Sequence, residues 1–251
     1  MSTKPAEQHL VEIECNRLAW ERKPLLKKLY GEFYRLIRQH LSDTPGSIVE
    51  LGSGIGAIKE FIPDCITTDI FPNPWIERLE NAYRLSFETG TISNLILLDV
   101  FHHLQYPGTA LNEFNRVLST GGRLLLLEPY AGFIGRTVYG LFHHEPLGLN
   151  TEIAWNAPND FEPHKGSYYA AQGNASRIFC SGRYEHLLRI WRVLMVRRFS
   201  CVAYLASGGF SKPQLYPTHF LSFLQIIDRT FSTFPTIFGA RMLVVLERVR
   251  N

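Results

Sequence analysis

One ten-residue stretch, residues 47–56, constrains the fold of this chain more than any other. It reads Ser-Ile-Val-Glu-Leu-Gly-Ser-Gly-Ile-Gly, a short apolar run that ends in an acid and three alternating glycines, and Ala57 to Ile62 is predicted to begin a helix. Strand, glycine turn and helix in this order bring backbone N–H groups close to a small anionic or nucleoside ligand. Gly52 and Gly54 allow a tight turn with no Cβ in the way. Glu50 adds a negative charge, which favours a ligand with a cationic part, although the same pattern also occurs where the glycines serve packing alone.

Strand and helix patterns alternate through the next part of the chain and predict an α/β fold with a parallel, doubly wound sheet. Ligands of such sheets bind outside the carboxyl ends of the strands, where Glu50, Asp69, Asp99 and Glu128 all fall. An acid at the position of Asp69 binds ribose hydroxyls in nucleotide folds, or else caps a helix or loop. After the glycine turn, predicted strands cover Cys65–Ile70, Ala82–Leu85, Asn94–Asp99 and Arg123–Glu128, with a helix at Leu111–Leu118.

The flanking regions are predicted to complete a single domain over residues 1–251. Residues 1–46 form a helical cap in which residues 1–16 are a loose arm and 17–41 are helical, with Pro24 suited to a break. Residues 130–197 lose the strand–helix rhythm and are interpreted as an insertion that lids the crevice. Within and after it, the predicted elements are a helix at Phe133–His144, a loop at Glu145–Asn174, a basic amphipathic segment at Arg183–Arg198, strands at Arg198–Leu205 and Arg241–Arg248, and a helix at Phe220–Phe231.

Composition excludes several classes of protein. The chain has 251 residues, of which 45% are hydrophobic and 20% charged, as in globular proteins. A net charge of +3 is too small to indicate nucleic-acid binding. The four cysteines form no CxxC pair, so neither a zinc site nor a disulfide framework is indicated. A polar amino terminus and the lack of a long apolar run lead us to expect a cytoplasmic location.

Four motifs occur in one order between Ile48 and Pro129: Glu-Leu-Gly-Ser-Gly-Ile-Gly, the acid at Asp69, Leu-Leu-Asp-Val-Phe-His-His-Leu, and Leu-Asn-Glu-Phe-Asn-Arg-Val-Leu-Ser-Thr-Gly-Gly-Arg-Leu-Leu-Leu-Leu-Glu-Pro. This segment, about a third of the chain, resembles the class I S-adenosylmethionine-dependent methyltransferases. More loosely, the whole chain resembles a bacterial, type 11-like subgroup, through His-His-Glu-Pro at 143–146 and Ser-Gly-Gly at 207–209. The resemblance implies a Rossmann-like, mostly parallel seven-stranded sheet with helices on both faces and an antiparallel last strand.

The resemblance also implies a cofactor, S-adenosylmethionine, and the residues that hold it. Glycines of the first motif would approach the methionine part, and Glu50 would orient its ammonium group. Asp69 would bind the ribose and Ile70 would pack on adenine. Asn81 stands where the family often has an aspartate that accepts a bond from the adenine amino group, and an amide oxygen can do the same. The implied set is Glu50, Gly52, Ser53, Gly54, Asp69, Ile70, Asn81, Ala82, Asp99 and Val100.

Two other functions compete with methyl transfer. Residues 52–57 also satisfy the glycine pattern of nicotinamide-dependent oxidoreductases, and Asp69 has a suitable spacing. The Tyr-x-x-x-Lys pair of many dehydrogenases is absent from the sequence, and Glu50 suits a zwitterionic methionine better than a pyrophosphate. The remaining alternative is a catalytically inactive module that keeps the fold and binds the cofactor.

Histidines supply the candidate catalytic groups because a hydroxyl or carboxyl acceptor can need a base near neutral pH. His103 and then His102 are the candidates, since they follow the strand that ends at Asp99. Together with Glu145, the histidine pairs at 102–103 and 143–144 could suggest a metal site. Adjacent histidines on a helix point in different directions, however, and none of these pairs at i, i+4, so no metal site is expected. These histidines could equally cap helices or pack.

The predicted lid supplies the candidate acceptor-binding residues, namely Tyr139, His143, His144 and Arg183. We expect a small-molecule acceptor, and the subgroup resemblance favours a sugar or a polysaccharide- or lipid-linked intermediate. Nucleic acid is not expected as a partner. The arginines between 183 and 198 could bind an anionic acceptor or associate weakly with a membrane surface, or simply form a solvated helix face.

Overall fold

A computed structural model of the protein describes residues 3–142, 145–163 and 169–249. The described part contains seven strands, eight α-helices and several 3₁₀ turns. None of its helices has the length and hydropathy that crossing a bilayer requires. The helices are α1 (Thr3–Arg22), α2 (Pro24–Arg38), α3 (Pro107–Val117), α4 (Phe133–Phe142), α5 (Asn174–Cys180), α6 (Val202–Ala206), α7 (Leu221–Phe231) and α8 (Pro235–Phe238). The strands are β1 (Ser47–Leu51), β2 (Ile66–Asp69), β3 (Arg78–Leu79), β4 (Ile92–Leu98), β5 (Leu118–Pro129), β6 (Trp191–Ser200) and β7 (Gly239–Arg248).

All seven strands form one sheet in the order β3-β2-β1-β4-β5-β7-β6. The pairs among β1 to β5 are parallel, and β7 runs antiparallel to both of its neighbours, β5 and β6. The predicted α/β sheet with an antiparallel last strand is therefore confirmed. Because β7 is reversed, its first residues lie at the edge where the parallel strands end, and Arg241 is brought opposite Pro129.

Alternate residues of the central strands feed two hydrophobic clusters, one on each face of the sheet. In β5, Leu124 and Leu126 belong to the cluster that includes α3, whereas Leu125 and Leu127 belong to the cluster that includes α2. Both faces are covered, which explains why β4 and β5 read as nearly continuous apolar runs. A third, smaller cluster joins α2 to α6 and α7.

The amino-terminal arm was predicted to be loose, and this prediction is wrong. Residues 3–22 form helix α1, which ends at Arg22, and α2 begins at Pro24 after the single residue Lys23. Among the α1 side chains whose burial is described, two belong to the core, those of Ile13 and Trp20, each 5% exposed. The periodic apolar pattern of α1 is correspondingly weak, because the helix is held by a few tertiary contacts instead of a broad apolar stripe.

Three predicted elements near the glycine turn also differ. The helix expected from Ala57 is one 3₁₀ turn, Ala57–Glu60, and Pro63 follows closely, which disfavours a continuing α-helix. No strand forms at 82–85, and β3 lies earlier in the chain. The Glu113 carboxylate accepts the Leu85 N–H and the Glu80 carboxylate accepts the Ser86 N–H, so these donors do not pair with a neighbouring strand. The strand predicted at Arg123–Glu128 is longer than expected. It begins at Leu118, directly after α3, and includes the adjacent glycines at 121 and 122.

The carboxyl-terminal third resumes the sheet earlier than predicted. Strand β6 begins at Trp191, inside the range assigned to the lid and to the basic amphipathic segment, and 202–206 is helix α6 where a strand was expected. Because β6 is an edge strand with one neighbour, it carries arginines among apolar residues, and such a mixture fits a helical period as well as a strand period.

Candidate functional site

The glycine turn after β1 has the backbone geometry that only glycine adopts readily. Gly52, Gly54 and Gly56 have φ of +68°, +52° and +66°. A Cβ on Gly52 would overlap the Val100 side chain, and one on Gly56 would lie 2.6 Å from the Trp75 carbonyl oxygen. The turn is therefore closely packed against the end of β4 as well as tightly wound.

Ser53 braces this turn between β1 and β2. Its hydroxyl donates to the Glu50 carbonyl at 3.1 Å and accepts the Thr68 N–H at 3.0 Å, while its own N–H donates to the Thr68 carbonyl at 2.8 Å. Thr68 adds a bond from its hydroxyl to the Glu50 carbonyl at 2.8 Å. The Ser53 side chain thus holds the turn in shape, and its hydroxyl is already engaged within the protein.

Glu50 is a buried acid with one unpaired oxygen. Its side chain lies at the end of β1 with the residue 1% exposed, Oε1 accepts the Tyr34 hydroxyl at 3.2 Å, and Oε2 has no hydrogen-bond partner. Burial raises the pKa of Glu50 to about 7, although the nearby Ser53 and the hydrogen bond from Tyr34 act in the opposite direction. An oxygen buried without a partner is costly, and a cationic donor placed against it would remove the cost.

Asp69, at the end of β2, points back to the glycine turn. Its Oδ2 accepts the Gly54 N–H at 3.1 Å and its Oδ1 accepts the Ile70 N–H at 2.7 Å. His9 of α1 brings Nε2 to 3.5 Å from Oδ1, and Ile13 of the same helix lies against Gly54. Helix α1 therefore covers the turn, and Asp69 is only 5% exposed.

The other residues predicted to contact adenine lie beyond β2 and β3. Ile70 leaves 53% of its surface exposed, so it can pack against a ring. Asn81 accepts the Tyr83 N–H on Oδ1 and donates from Nδ2 to the Pro163 carbonyl, each at 3.0 Å. Ala82 is partly buried against the core. Asn81 thus ties its own loop to residue 163 in this conformation.

Asp99 ends β4 in the left-handed region, with φ of +59°, which non-glycine residues rarely adopt. Its carboxylate is gripped by both terminal nitrogens of Arg241, at 2.8 Å for the Nη2–Oδ2 pair. Arg241 is 2% exposed and its guanidinium lies over the Tyr204 ring at 4.6 Å. Arg241 was not among the site residues predicted from the sequence. A lone arginine near the start of an otherwise apolar final strand is a signal that could have identified Arg241.

Glu128 organises the turn that follows Asp99. This fully buried carboxylate accepts the N–H groups of Val100 and Phe101 at 2.9 and 2.7 Å, and its Oε2 lies 2.7 Å from His102 Nδ1. Burial lowers the pKa of His102. The negative charge of Glu128, its hydrogen bond to the ring and a smaller contribution from Glu145 outweigh burial, and together they raise the pKa of His102 to about 10. Without a metal, His102 is an imidazolium near neutral pH, and it is a poor candidate for a general base.

His103 and His102 were expected to point in different directions, and this premise is wrong. They lie on a 3₁₀ turn, Phe101–His103, and their ring centroids are 4.1 Å apart. Both rings direct Nε2 towards Glu145, at 3.6 Å for His102 and 3.8 Å for His103. Burial and then the neighbouring His102 lower the pKa of His103. Glu145 thus joins both histidines; the sequence suggested this grouping, and only the expected directions of the histidine rings argued against it.

Tyr139 and Arg183, two of the acceptor-binding residues predicted in the lid, do not lie at this cluster. Tyr139 is buried and its hydroxyl donates to the Ala240 carbonyl at 2.7 Å, so it faces the sheet. Arg183 is exposed, stacks on Tyr184 and lines a surface pocket with Arg177. His143 and His144 lie outside the described residues. The arginines further along do not share a helix face, because Arg192, Arg197 and Arg198 belong to β6.

Comparisons with known proteins agree with this architecture. Residues 49–126 match the family model described as a methyltransferase domain. No curated protein matches the chain.

Solved structures resemble the whole chain at low sequence identity. Geranyl diphosphate C-methyltransferase from Streptomyces coelicolor A3(2) is 10% identical, with a TM-score of 0.53 over 88% of this chain and 80% of that one. A Haloferax volcanii protein described as a methyltransferase, solved with the Trm112 methyltransferase activator, is 13% identical, with a TM-score of 0.54 over 94% and 98%. An S-adenosylmethionine-dependent methyltransferase from Thermotoga maritima is 12% identical, with a TM-score of 0.52 over 96% and 100%. By its matched segment and its fold, the chain is similar to the class I S-adenosylmethionine-dependent methyltransferases, which confirms the resemblance predicted from its sequence.

Proposed function

We propose that this protein is an S-adenosylmethionine-dependent methyltransferase that acts on a small molecule. The observation that carries the proposal is the unpaired oxygen of buried Glu50, beside a glycine turn within the matched methyltransferase segment. The methionine part of the cofactor carries an ammonium group, which is a donor of the required charge. No other group in the proposed ligand explains an acid at this position as directly.

The remaining residues of the crevice fit the rest of the cofactor. The Asp69 carboxylate would bind the ribose hydroxyls, and the backbone at Gly52 and Gly54 would allow the close approach that a side chain would prevent. The exposed side chain of Ile70 would pack on adenine, next to Asn81 and Ala82. Val100 and Asp99 would border the methionine end, with Ser53 supporting the turn.

Bound S-adenosylmethionine supplies a methyl group that its sulfonium already activates for transfer. The protein then has to align the acceptor and exclude water. If the acceptor loses a proton, His103 is better placed than His102 to take it, because 30% of its side chain is exposed and His102 is buried between Glu128 and Glu145. The His103 Nδ1 atom lies 3.0 Å from the Tyr169 carbonyl, so the ring donates there and its acceptor nitrogen is Nε2.

The structure gives a reason to prefer this function to a nicotinamide-dependent reaction. Dinucleotide sites place a pyrophosphate at the amino terminus of a helix that follows the glycine turn. Here the turn is followed by a single 3₁₀ turn, Ala57–Glu60, and the nearby Glu50 would repel a pyrophosphate. We therefore expect binding of the sulfonium cofactor and no binding of nicotinamide dinucleotides.

For the acceptor, we propose a sugar or a polysaccharide- or lipid-linked intermediate. Support comes from the subgroup resemblance and from the polar and aromatic surface pocket lined by residues 149–152 with Arg177, Arg183 and Tyr184. The guanidinium groups of the two arginines can donate paired hydrogen bonds to an anionic group, and the tyrosine ring can pack on a sugar ring.

Calorimetry tests the cofactor, and isotope transfer tests the reaction. S-adenosylhomocysteine should bind and NAD should not; the reverse result would refute the proposal. Transfer of a radiolabelled methyl group to nucleotide sugars or lipid-linked sugars would then identify the acceptor class. Cofactor binding without transfer to any acceptor class would favour an inactive cofactor-binding module.

A further inference from the structure

We propose that His102, His103 and Glu145 form a binding site for a divalent transition-metal ion, with Zn²⁺ as the best-fitting ion. The side chains offer two imidazole nitrogens and one carboxylate oxygen, and one ligand atom from each lies within 4.8 Å of the other two. The inference concerns metal binding alone and holds whether or not the protein transfers methyl groups. A bound ion would occupy His103 Nε2, so His103 can accept a proton only in the metal-free protein.

The spacing of the three side chains fits shared coordination. Zinc binds nitrogen and oxygen ligands at about 2.1 Å, so two ligands of a tetrahedral site lie about 3.4 Å apart. Glu145 Oε2 lies 3.6 Å from His102 Nε2, and the other carboxylate oxygen, Oε1, lies 3.8 Å from His103 Nε2. Both distances are longer than an ordinary hydrogen bond and a few tenths of an ångström from this value. A small inward shift of the carboxylate would complete the geometry.

Both imidazoles are already oriented as metal-binding histidines are. Such histidines donate from the ring nitrogen that does not bind the metal to a carboxylate or a backbone carbonyl. His102 Nδ1 lies 2.7 Å from the Glu128 carboxylate, and His103 Nδ1 lies 3.0 Å from the Tyr169 carbonyl. In His103 the contact fixes the tautomer with its lone pair on Nε2, the atom that faces Glu145. His102 carries a proton on both nitrogens in the metal-free protein, so an ion would bind its Nε2 with loss of that proton.

Glu145 is also held in place by backbone hydrogen bonds. Gln172 N–H donates to the Pro146 carbonyl at 3.0 Å, Gly173 N–H donates to the Leu147 carbonyl at 2.8 Å, and Ala171 N–H donates to the His102 carbonyl at 3.0 Å. These bonds join the segment that follows Glu145 to residues 171–173, and join residues 171–173 to the histidine turn. The carboxylate is therefore presented by a constrained segment despite its distance in sequence.

Gln172 provides an independent sign of a missing ligand. It is 3% exposed, its Nε2 lies 3.3 Å from His102 Nε2, and its Oε1 is buried with no hydrogen-bond partner. The same Gln172 Nε2 atom also donates to the Glu145 carboxylate. Because the two ends of an amide have the same shape, a half-turn would place Oε1 beside the histidine nitrogen, in exchange for that hydrogen bond. A cation in the cluster would then have this amide oxygen within reach, as an alternative to water in the fourth position.

The charges of the cluster call for a divalent cation. Glu128 and Glu145 bring two carboxylates into a site where their side chains are 0% and 9% exposed, and an ion of charge +2 balances them. Imidazole favours zinc and neighbouring transition metals, whereas magnesium and calcium prefer oxygen alone. Three protein ligands leave one position for water or substrate, as in catalytic zinc sites, and the partly exposed His103 gives access from solvent.

The test uses the full chain after chelator treatment. Calorimetric titration with Zn²⁺ and elemental analysis should show one ion per chain, and Co²⁺ at the same stoichiometry should give the visible absorption of four- or five-coordinate cobalt. The variants Glu145→Gln and His103→Gln should each lose this binding. Glu128→Gln, which removes the charge that orients His102 but also alters the acceptor of the Val100 and Phe101 N–H groups, should weaken Zn²⁺ binding roughly 10- to 100-fold.

Matched control variants are available in the same protein. Glu185 and His186 are adjacent and exposed on a 3₁₀ turn, so Glu185→Gln and His186→Gln should leave Zn²⁺ binding unchanged. Circular dichroism would establish that each variant is folded. The proposal is overturned if the wild-type chain binds no stoichiometric Zn²⁺, or if folded Glu145→Gln and His103→Gln both retain wild-type affinity.

Discussion

Replacing Glu50 by glutamine tests the buried acid on which the proposed function rests. Burial raises the pKa of Glu50 from 4.5 to about 7. Below pH 4.5 the carboxyl is protonated in both the folded and the unfolded chain, so its ionisation does not change the free energy of unfolding. Between pH 4.5 and 7 only the unfolded chain ionises, so stability falls as pH rises, and above about pH 7 the loss is complete.

The size of the effect follows from the pKa difference. A shift of 2.5 units, from 4.5 to about 7, corresponds to about 3 kcal/mol of unfolding free energy. Glutamine keeps the shape and an oxygen for the Tyr34 hydroxyl, but it cannot ionise. Relative to the wild-type protein, Glu50→Gln should therefore gain about 3 kcal/mol on going from pH 4.5 to pH 8.

Urea unfolding at several pH values measures this difference, with S-adenosylhomocysteine binding measured on the same samples. The variant should bind S-adenosylhomocysteine roughly 10- to 100-fold more weakly, because a hydrogen bond to a charged group is lost. Glu88→Gln, at an exposed glutamate, should change neither quantity. A stability difference that does not vary with pH, or unchanged ligand affinity, would refute the reasoning about Glu50.

Other substitutions test the remaining parts of the site. Asp69→Asn should weaken S-adenosylhomocysteine binding at least about tenfold by calorimetry, whereas Asp64→Asn at an exposed position should not; equal affinities would make Asp69 a loop residue without a ligand. Gly52→Ala should lower the free energy of unfolding more than Gly182→Ala does, because both glycines have positive φ but only Gly52 faces a neighbour, the Val100 side chain. Adding Val100→Ala should reduce this difference in unfolding free energy, and an unchanged difference would contradict the reasoning. Arg241→Met should cost about 3 kcal/mol or more in urea unfolding by leaving Asp99 without its partner, and adding Asp99→Asn should recover part of the loss; strict additivity of the two changes would show that the pair is not coupled.

The sheet could be predicted from the sequence because its signals are local. Apolar runs, strand-end acids and the glycines at 52 and 54 each act within a few residues, and the corresponding strands β1, β2, β4 and β5 were found close to their predicted positions. The third strand was misplaced because the Glu113 carboxylate, distant in sequence, accepts the Leu85 N–H, and the side chains of Asn81 and Glu80 accept those of Tyr83 and Ser86. Local propensity carries no information about such partners.

The candidate site was harder to predict for the same reason. Glu145 reaches His102 and His103 only because residues 146–147 pair with 172–173, a contact that no short pattern encodes. Arg241 meets Asp99 because the last strand is reversed and starts at the ligand edge. In both cases the partner is supplied by topology, so the sequence shows the residue type but not the pairing.

The position of helix α1 has a consequence for how fast ligands enter. His9 and Ile13 lie against Asp69 and Gly54, so a ligand that uses these groups must wait for the helix to move away. The measured dissociation constant is then the intrinsic one divided by the fraction of molecules in which the helix has moved. In stopped-flow experiments, the observed association rate should level off at high ligand concentration, at the rate of helix opening. Residues 3–22 would thereby set the timing of ligand exchange, although the groups that would hold the ligand lie on the sheet.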